Sequence, residues 1–246
     1  GTQTFYGDVL DWVANWVKAF RVMGWGFTFP DRAHLQKFLK TDLFRKMSGE
    51  FETKHKVKIL GATATDARIF FSKTPVTELK DLKDKKMRVP EIESYLRLWE
   101  ALGTRPTRVT WAEVYMGLKQ GVIDACEGPT TASYQAKIHE AAPNVTLTRH
   151  LQSTWFLLMN GAAYDSLTPD LQKAVQEAAN EALAYCDSEA GKRDQESIGK
   201  MKAEGANIIT LANVKEWQDK VASATAAMED KGMWRKGLYN EIQQIK

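Results

Sequence analysis

Cysteine is scarce in this chain: two in 246 residues, Cys126 and Cys186. Neither has metal-ligand spacing, and their separation in sequence leaves open whether they pair. The four histidines, His34, His55, His139 and His150, are scattered, so no metal site is expected. No run of five or more Lys or Arg occurs, and the formal net charge is only +3, which argues against a nucleic-acid partner. No apolar stretch approaches the ~18 residues that cross a bilayer, so this chain is not expected to insert in a membrane. No secretory leader is visible, which fits a cytoplasmic protein or a mature form. The GWG at Gly24 to Gly26 lacks a third glycine and opens no helix, and no phosphate loop or G-x-S-x-G elbow occurs. No cofactor is therefore expected, and no single pair of acids stands out as catalytic.

What is present is ordinary in bulk and uneven in detail. Hydrophobic content of 43% and charged content of 26% suit a globular protein, and the length allows one or two domains. Eight tryptophans are many for this size, and rigid aromatic faces make good walls for a small ligand.

Periodicity predicts an amphipathic helix near the start, with Val9, Trp12, Val13, Trp16 and Phe20 on one face. Helices are expected from an Asp31 cap to Lys40, over Thr41–Lys56, over Ser94–Leu102, and over Thr131–Glu140. Thr110 and Glu113 read as a capping box for another, closed by Gly121. Short strands are expected at Val57–Leu60, Ala67–Ser72, Met87–Pro90, Thr107–Val109, Val122–Ala125, Asn144–His150, Thr154–Met159 and Asn207–Leu211. Thr168-Pro169-Asp170 opens a very long helix that runs to about Lys202, with Gly191 and Gly199 as weak spots. Two more helices follow, the first capped by Asn213.

The segment Leu79–Pro129 carries most of the functional signal. Arg88 sits between Met87 and Val89 in a short apolar strand, an odd place for a charge unless an anion meets it. The alternation of strands and helices around it is the layout of a ligand-binding α/β lobe.

Three motifs resemble one family. DLKDKKMRVP, ending at Pro90, is similar to the D-L-K-G-L-K-x-R-V-P signature of the extracytoplasmic solute-binding proteins of TRAP transporters, the DctP type. WAEVYMGLKQGVIDACEGP, from Trp111 to Pro129, resembles that family's E-V-Y…G-x-V-D-G-x-E-x-P run. SLTPDLQKAVQEAANEA, from Ser166, resembles its L-x-x-D-L-Q-K-x-V-x-x-A-A motif. The resemblance covers essentially the whole chain.

It implies an α/β, two-lobed periplasmic binding protein fold, type II-like, with hinge strands and a long helix spanning both lobes. Residues 1–65 with 154–193 would form the first lobe, and 66–153 with 194–246 the second. Hinges are expected near Gly61–Asp66 and near Ser153. The family normally begins with a strand–helix–strand unit that this sequence does not show, so the first lobe is expected to be incomplete at its N-terminus. The implied function is capture of a small organic acid in the periplasm, by cleft closure, and delivery to the membrane permease subunits.

Site roles follow from the same resemblance. Arg88 occupies the position whose guanidinium meets the ligand carboxylate, and Arg68 matches a second arginine on the preceding strand. Glu91, Trp111, Gly128 and Trp155 fall at other ligand-contacting positions. Two of these depart from the pattern. Glu91 puts a negative charge near an anion site, and Gly128 replaces a residue that is often Asn. Together they argue against a ligand copied from the sialic acid or simple dicarboxylate binders and suggest one with hydroxyl or amino groups, while the tryptophans suggest an apolar or ring face. Ala125 and Cys126 also replace the usual small-polar pair. The competing readings are a ligand-sensing module of a signalling receptor, an α/β enzyme using Glu91 or Glu127 as base, and a fragment that binds nothing.

Overall fold

The computed structural model describes residues 3–245. Its seven strands are β1 Phe5–Val9, β2 Val57–Ser72, β3 Lys86–Val89, β4 Arg105–Arg108, β5 Ala125–Pro129, β6 Asn144–Asn160 and β7 Asn207–Ile209. Its ten α-helices are α1 Arg32–Leu39, α2 Asp42–His55, α3 Glu93–Ala101, α4 Val114–Gln120, α5 Thr130–Gln135, α6 Ile138–Ala141, α7 Gly161–Asp165, α8 Pro169–Ala203, α9 Val214–Asp230 and α10 Leu238–Gln243.

One mixed sheet runs in the order β1-β6-β2-β5-β3-β4, with β7 beside β6. Its axis is the antiparallel pair β2 and β6, 16 and 17 residues long. Each replaces two short strands expected from sequence. The expected gaps are bulges instead: register shifts fall between Ile59 and Gly61, Ala64 and Ala67, and Arg68 and Phe70. Extra residues on one strand are absorbed without ending the ladder, at the cost of a local bend. The widest bulge lies in β6, where Thr146 faces Phe70 but Leu151 already faces Arg68. Inside it Arg149 is left-handed at φ 43°, tied to α8 by a 2.8 Å pair with Asp194.

The expected first helix does not form. Phe5–Val9 is an edge strand on β6, followed by 3-10 turns at Leu10–Asn15 and Lys18–Gly24. The apolar period was real, since Val13, Val17 and Phe20 are buried. Burial was met by tight turns, and the β6 edge claimed the residues before them. Trp16 is left 54% exposed. The long helix is as expected: α8 runs 35 residues through Gly191 and Gly199 without a break. The expected helix over Thr131–Glu140 is split into α5 and α6 by Lys137, which is left-handed at φ 55°.

Two large apolar cores flank the sheet, with a third, small cluster of Leu60, Met159 and Ala179. The larger gathers Phe20, Trp25, Phe38, Phe51, Met87, Leu98, Trp217 and Trp234. It joins segments that the 1–65 and 66–153 division would place in different lobes. The Trp25 indole donates to Thr225 Oγ1 at 3.0 Å, and Gln243 Nε2 donates to the Phe27 carbonyl at 3.0 Å, so α9 and α10 are fastened to the turns at the start of the chain. The smaller core, with Ile69, Phe71, Val114, Leu118 and Ile138, packs α4 and α6 on the sheet. The alternation along β2 sends Phe70 to one core and its neighbours Ile69 and Phe71 to the other, as a two-faced strand requires.

Candidate functional site: an arginine cavity at the sheet ends

A cavity of about 680 Å³ opens where β1, β2, β3, β5 and β6 converge, and Arg68, Arg88, Trp111 and Trp155 line it together. Four of the six expected site residues thus meet in one place. Parallel β3 lies between β4 and β5, so the carboxyl ends of three strands face the same way. That is where α/β sheets ordinarily bind ligands.

Arg88 is 3% exposed, and its Nε donates to the Val109 carbonyl at 2.9 Å. Its guanidinium carbon lies 5.4 Å from the centre of the Trp111 ring. Among the described residues no carboxylate pairs with it. Burial lowers its pKa, since a charge without a partner is costly in a low-dielectric site. Its outer nitrogens therefore offer a two-pronged donor to an anion.

Arg68 lines the same cavity in a different condition. Its Nε and Nη2 both donate to Glu127, the latter at 2.8 Å, and both side chains are almost fully buried. Burial alone disfavours either charge, but the pairing prevails: the Arg68 pKa is raised, and the Glu127 pKa falls below the usual carboxylate range. The Tyr95 ring stacks near Arg68, 5.1 Å from its guanidinium carbon, and Tyr95 donates to Asp11 Oδ2 at 2.7 Å. Burial pushes Asp11 up to about 6. Behind Glu127 lies His150, its Nε2 at 3.5 Å from Oε2 and its Nδ1 hydrogen-bonded to Thr148 Oγ1 at 2.7 Å. Burial lowers the His150 pKa and keeps it neutral.

The other two expected residues are placed differently. Glu91 is exposed and does not line the cavity; its carbonyl accepts from Asn15 Nδ2 at 3.2 Å. The reason is local: Pro90 ends β3, and the chain turns away to start α3. Gly128 is buried in β5 behind Trp111, and its contribution is space rather than a hydrogen bond. Neither acid proposed as a base is suited to that task. Glu91 is outside the cavity, and Glu127 has both carboxylate oxygens engaged by Arg68, whose charge lowers its pKa and makes it a weak base.

Sequence reading missed Asp8, Trp12, Asp66 and Gln135, which also line the cavity. Asp8 and Trp12 were hidden by the mistaken helix. Asp66 sits in the β2 bulge, where its carboxylate accepts the Thr131 backbone N–H at 2.6 Å, and burial raises its pKa. Nothing in the local sequence marks a bulge residue as a pocket residue. Among the described residues no group of three His, Cys, Asp or Glu is placed to hold a metal ion, and no helix is long and apolar enough to cross a membrane.

Known proteins are similar to this chain in sequence and in fold. A solute-binding protein of Sulfitobacter sp. strain NAS-14.1 is 31% identical over 225 residues, 88% of this chain and 68% of that protein. The 2,3-diketo-L-gulonate-binding periplasmic protein YiaO of Escherichia coli is 30% identical over 203 residues, 82% of this chain and 62% of that protein. The chain thus spans about two thirds of the length of these curated relatives. In fold it resembles a TRAP periplasmic solute-binding protein of Chromohalobacter salexigens solved with D-glucuronate, at a TM-score of 0.94 and 21% identity, covering 100% of this chain and 82% of that one. The family profile of bacterial extracellular solute-binding proteins, family 7, matches residues 10–231. This chain belongs to that family, DctP.

Proposed function

We propose that the protein captures a small organic acid in the arginine cavity and delivers it to the membrane permease subunits of a TRAP transporter, working on the periplasmic side. The observation that carries this reading is Arg88: buried, without a counter-ion, and facing a cavity walled by tryptophan. A ligand carboxylate would supply the missing charge. Arg68 lends positive potential from behind, but Glu127 already neutralises it. Asp8, Asp66 and Gln135 accept from or donate to ligand hydroxyls, while Trp111 and Trp155 provide apolar faces. Two of the similar proteins fit this division of labour, since diketogulonate and glucuronate are both hydroxylated monocarboxylates.

The bulges of β2 and β6 act as the hinge. A ligand held by Arg88 on β3 and by Asp8 on β1 binds the closed state better than the open one, and that difference drives closure. Binding energy rather than bond chemistry is therefore what the site supplies.

The test is calorimetry on the intact, full-length protein with D-glucuronate, 2,3-diketo-L-gulonate and succinate. At least one acid should bind in the micromolar range or tighter, and Arg88→Ala should weaken it about 100-fold or more. An Arg88→Ala variant that binds as tightly as the parent would overturn the role given to Arg88. No binding by the parent, across these and a wider panel of carboxylates, would overturn the reading.

A further inference from the structure

Gly128, an expected ligand contact, has a different place in the fold. It is buried in β5, paired with Ile69 of β2, and it follows directly on Glu127, whose carboxylate is committed to Arg68. A Cβ built on Gly128 would stand 2.9 Å from Cη2 and 3.2 Å from Cζ3 of Trp111, and 2.5 Å from Ser133 Oγ. The first two contacts involve a rigid ring; the third involves a serine hydroxyl with no hydrogen-bond partner, free to rotate away. The indole therefore lies against bare backbone, in a place open to it only because residue 128 has no side chain. That placement also sets the indole under Arg88. Trp111 nonetheless stays 37% exposed, toward the cavity.

We propose that Gly128 is a specificity-determining residue: it seats Trp111 as a fixed wall beside Arg88, and the wall selects carboxylates carried on a ring over open-chain ones. The inference rests on the proposed function and names the ligand class for that same site. An acid paired with Arg88 begins at the edge of the indole, so its carbon skeleton is the next group the exposed ring meets. A pyranose or other cyclic acid covers that face as one rigid layer. An open-chain acid of equal size must freeze several torsions to do the same. Any side chain at position 128 pushes the indole out of its seat, so the selection depends on the glycine although the glycine touches no ligand.

The experiment measures the dissociation constants of D-glucuronate and L-gulonate, which share the carboxylate, the six-carbon skeleton and its stereocentres, C1 being reduced in the second so that no ring can close. It uses the intact, full-length protein. The parent should favour D-glucuronate at least tenfold. Gly128→Ala should cut that ratio at least fivefold, and Trp111→Ala should do the same with the backbone of β5 untouched. Trp111→Phe removes the two atoms that an added Cβ would meet, so Gly128→Ala in the Trp111→Phe background should change the ratio less than twofold. Arg88→Ala separates the two levels of argument, because it should weaken both acids in parallel. A parent without ring preference, or a ratio unmoved by Trp111→Ala, overturns the inference while leaving a carboxylate receptor in place. If Gly128→Ala does not fold, Trp111→Ala decides. Failure of the parent to bind either acid, or any other carboxylate, defeats the receptor and the inference together.

Discussion

Two buried arginines line one cavity beside the exposed Arg193, and what sets the two apart is an internal counter-ion. Arg68 on β2 has Glu127 opposite it; Arg88 on β3 has only a carbonyl and a tryptophan ring. Both are buried, so both bear the cost of leaving water. One recovers that cost within the protein. The other can recover it only from something that arrives. On the proposed function, burial alone does not distinguish a structural arginine from a receptor arginine; an internal counter-ion does.

The contrast can be broken in several ways. The largest effect should follow removal of one member of the internal pair. Glu127→Ala leaves Arg68 buried and alone, and urea unfolding should show a loss of roughly 3–5 kcal/mol. Replacing both with apolar residues of similar size, Arg68→Met with Glu127→Leu, should recover most of it. Removing Arg88 should do the reverse. Arg88→Ala discards an uncompensated charge, so stability should hold or rise by up to about 1 kcal/mol, while ligand affinity falls by about 100-fold or more, as expected for one partner of a buried charge pair. Calorimetry and denaturation on the same variant check both halves.

Acid should sharpen the contrast further. The folded-state pKa of Glu127 is lowered, so its stabilisation is present above the ordinary value of 4.5 and is lost as pH falls below it. His150, also lowered, adds a loss as pH falls through 6.5. Asp11 acts in the opposite direction. Its pKa is raised to about 6, so it favours the folded state more as pH falls from 6 toward 3.8. Asp66, also raised by burial, acts in the same direction as Asp11. Thermal stability should therefore fall most steeply below pH 4.5, and Asp11→Asn, by removing part of the counterweight, should deepen the loss between pH 6 and 4.5. The smallest effect belongs to Glu91→Gln. That side chain is exposed and outside the cavity, so affinity should move less than twofold.

Which parts of this were legible in the sequence depends on how local the cause is. The start of the 35-residue helix was legible because Pro169 at its first position is a local signal. The Asp31 cap was legible for the same reason, and its carboxylate accepts the His34 N–H at 2.8 Å. Arg88 was legible because a charge inside a four-residue apolar strand is a local contradiction. What could not be read were effects of partners distant in sequence. The edge of β6 turned an apparent helix at Phe5–Val9 into a strand. The cross-strand ladder fused four short strands into two long ones. Glu127 looked like a candidate base until folding brought Arg68 against it. Gly128 looked like a lost hydrogen bond until the indole it accommodates was in view.

The central ladder also governs how the molecule must be made. It pairs Val57 with Asn160, roughly a hundred residues away along the chain, so the loop that closes it contains the whole of β3, β4 and β5. Helices such as α8 can form early and locally, but they bring no two walls of the cavity together. Arg88 and Trp155 become neighbours only when the ladder is complete. Ligand recognition is then a late event in folding, reached slowly for a chain of this size, and no partly assembled intermediate carries a working receptor. A ligand added during refolding should accordingly leave the refolding rate unchanged and slow only unfolding.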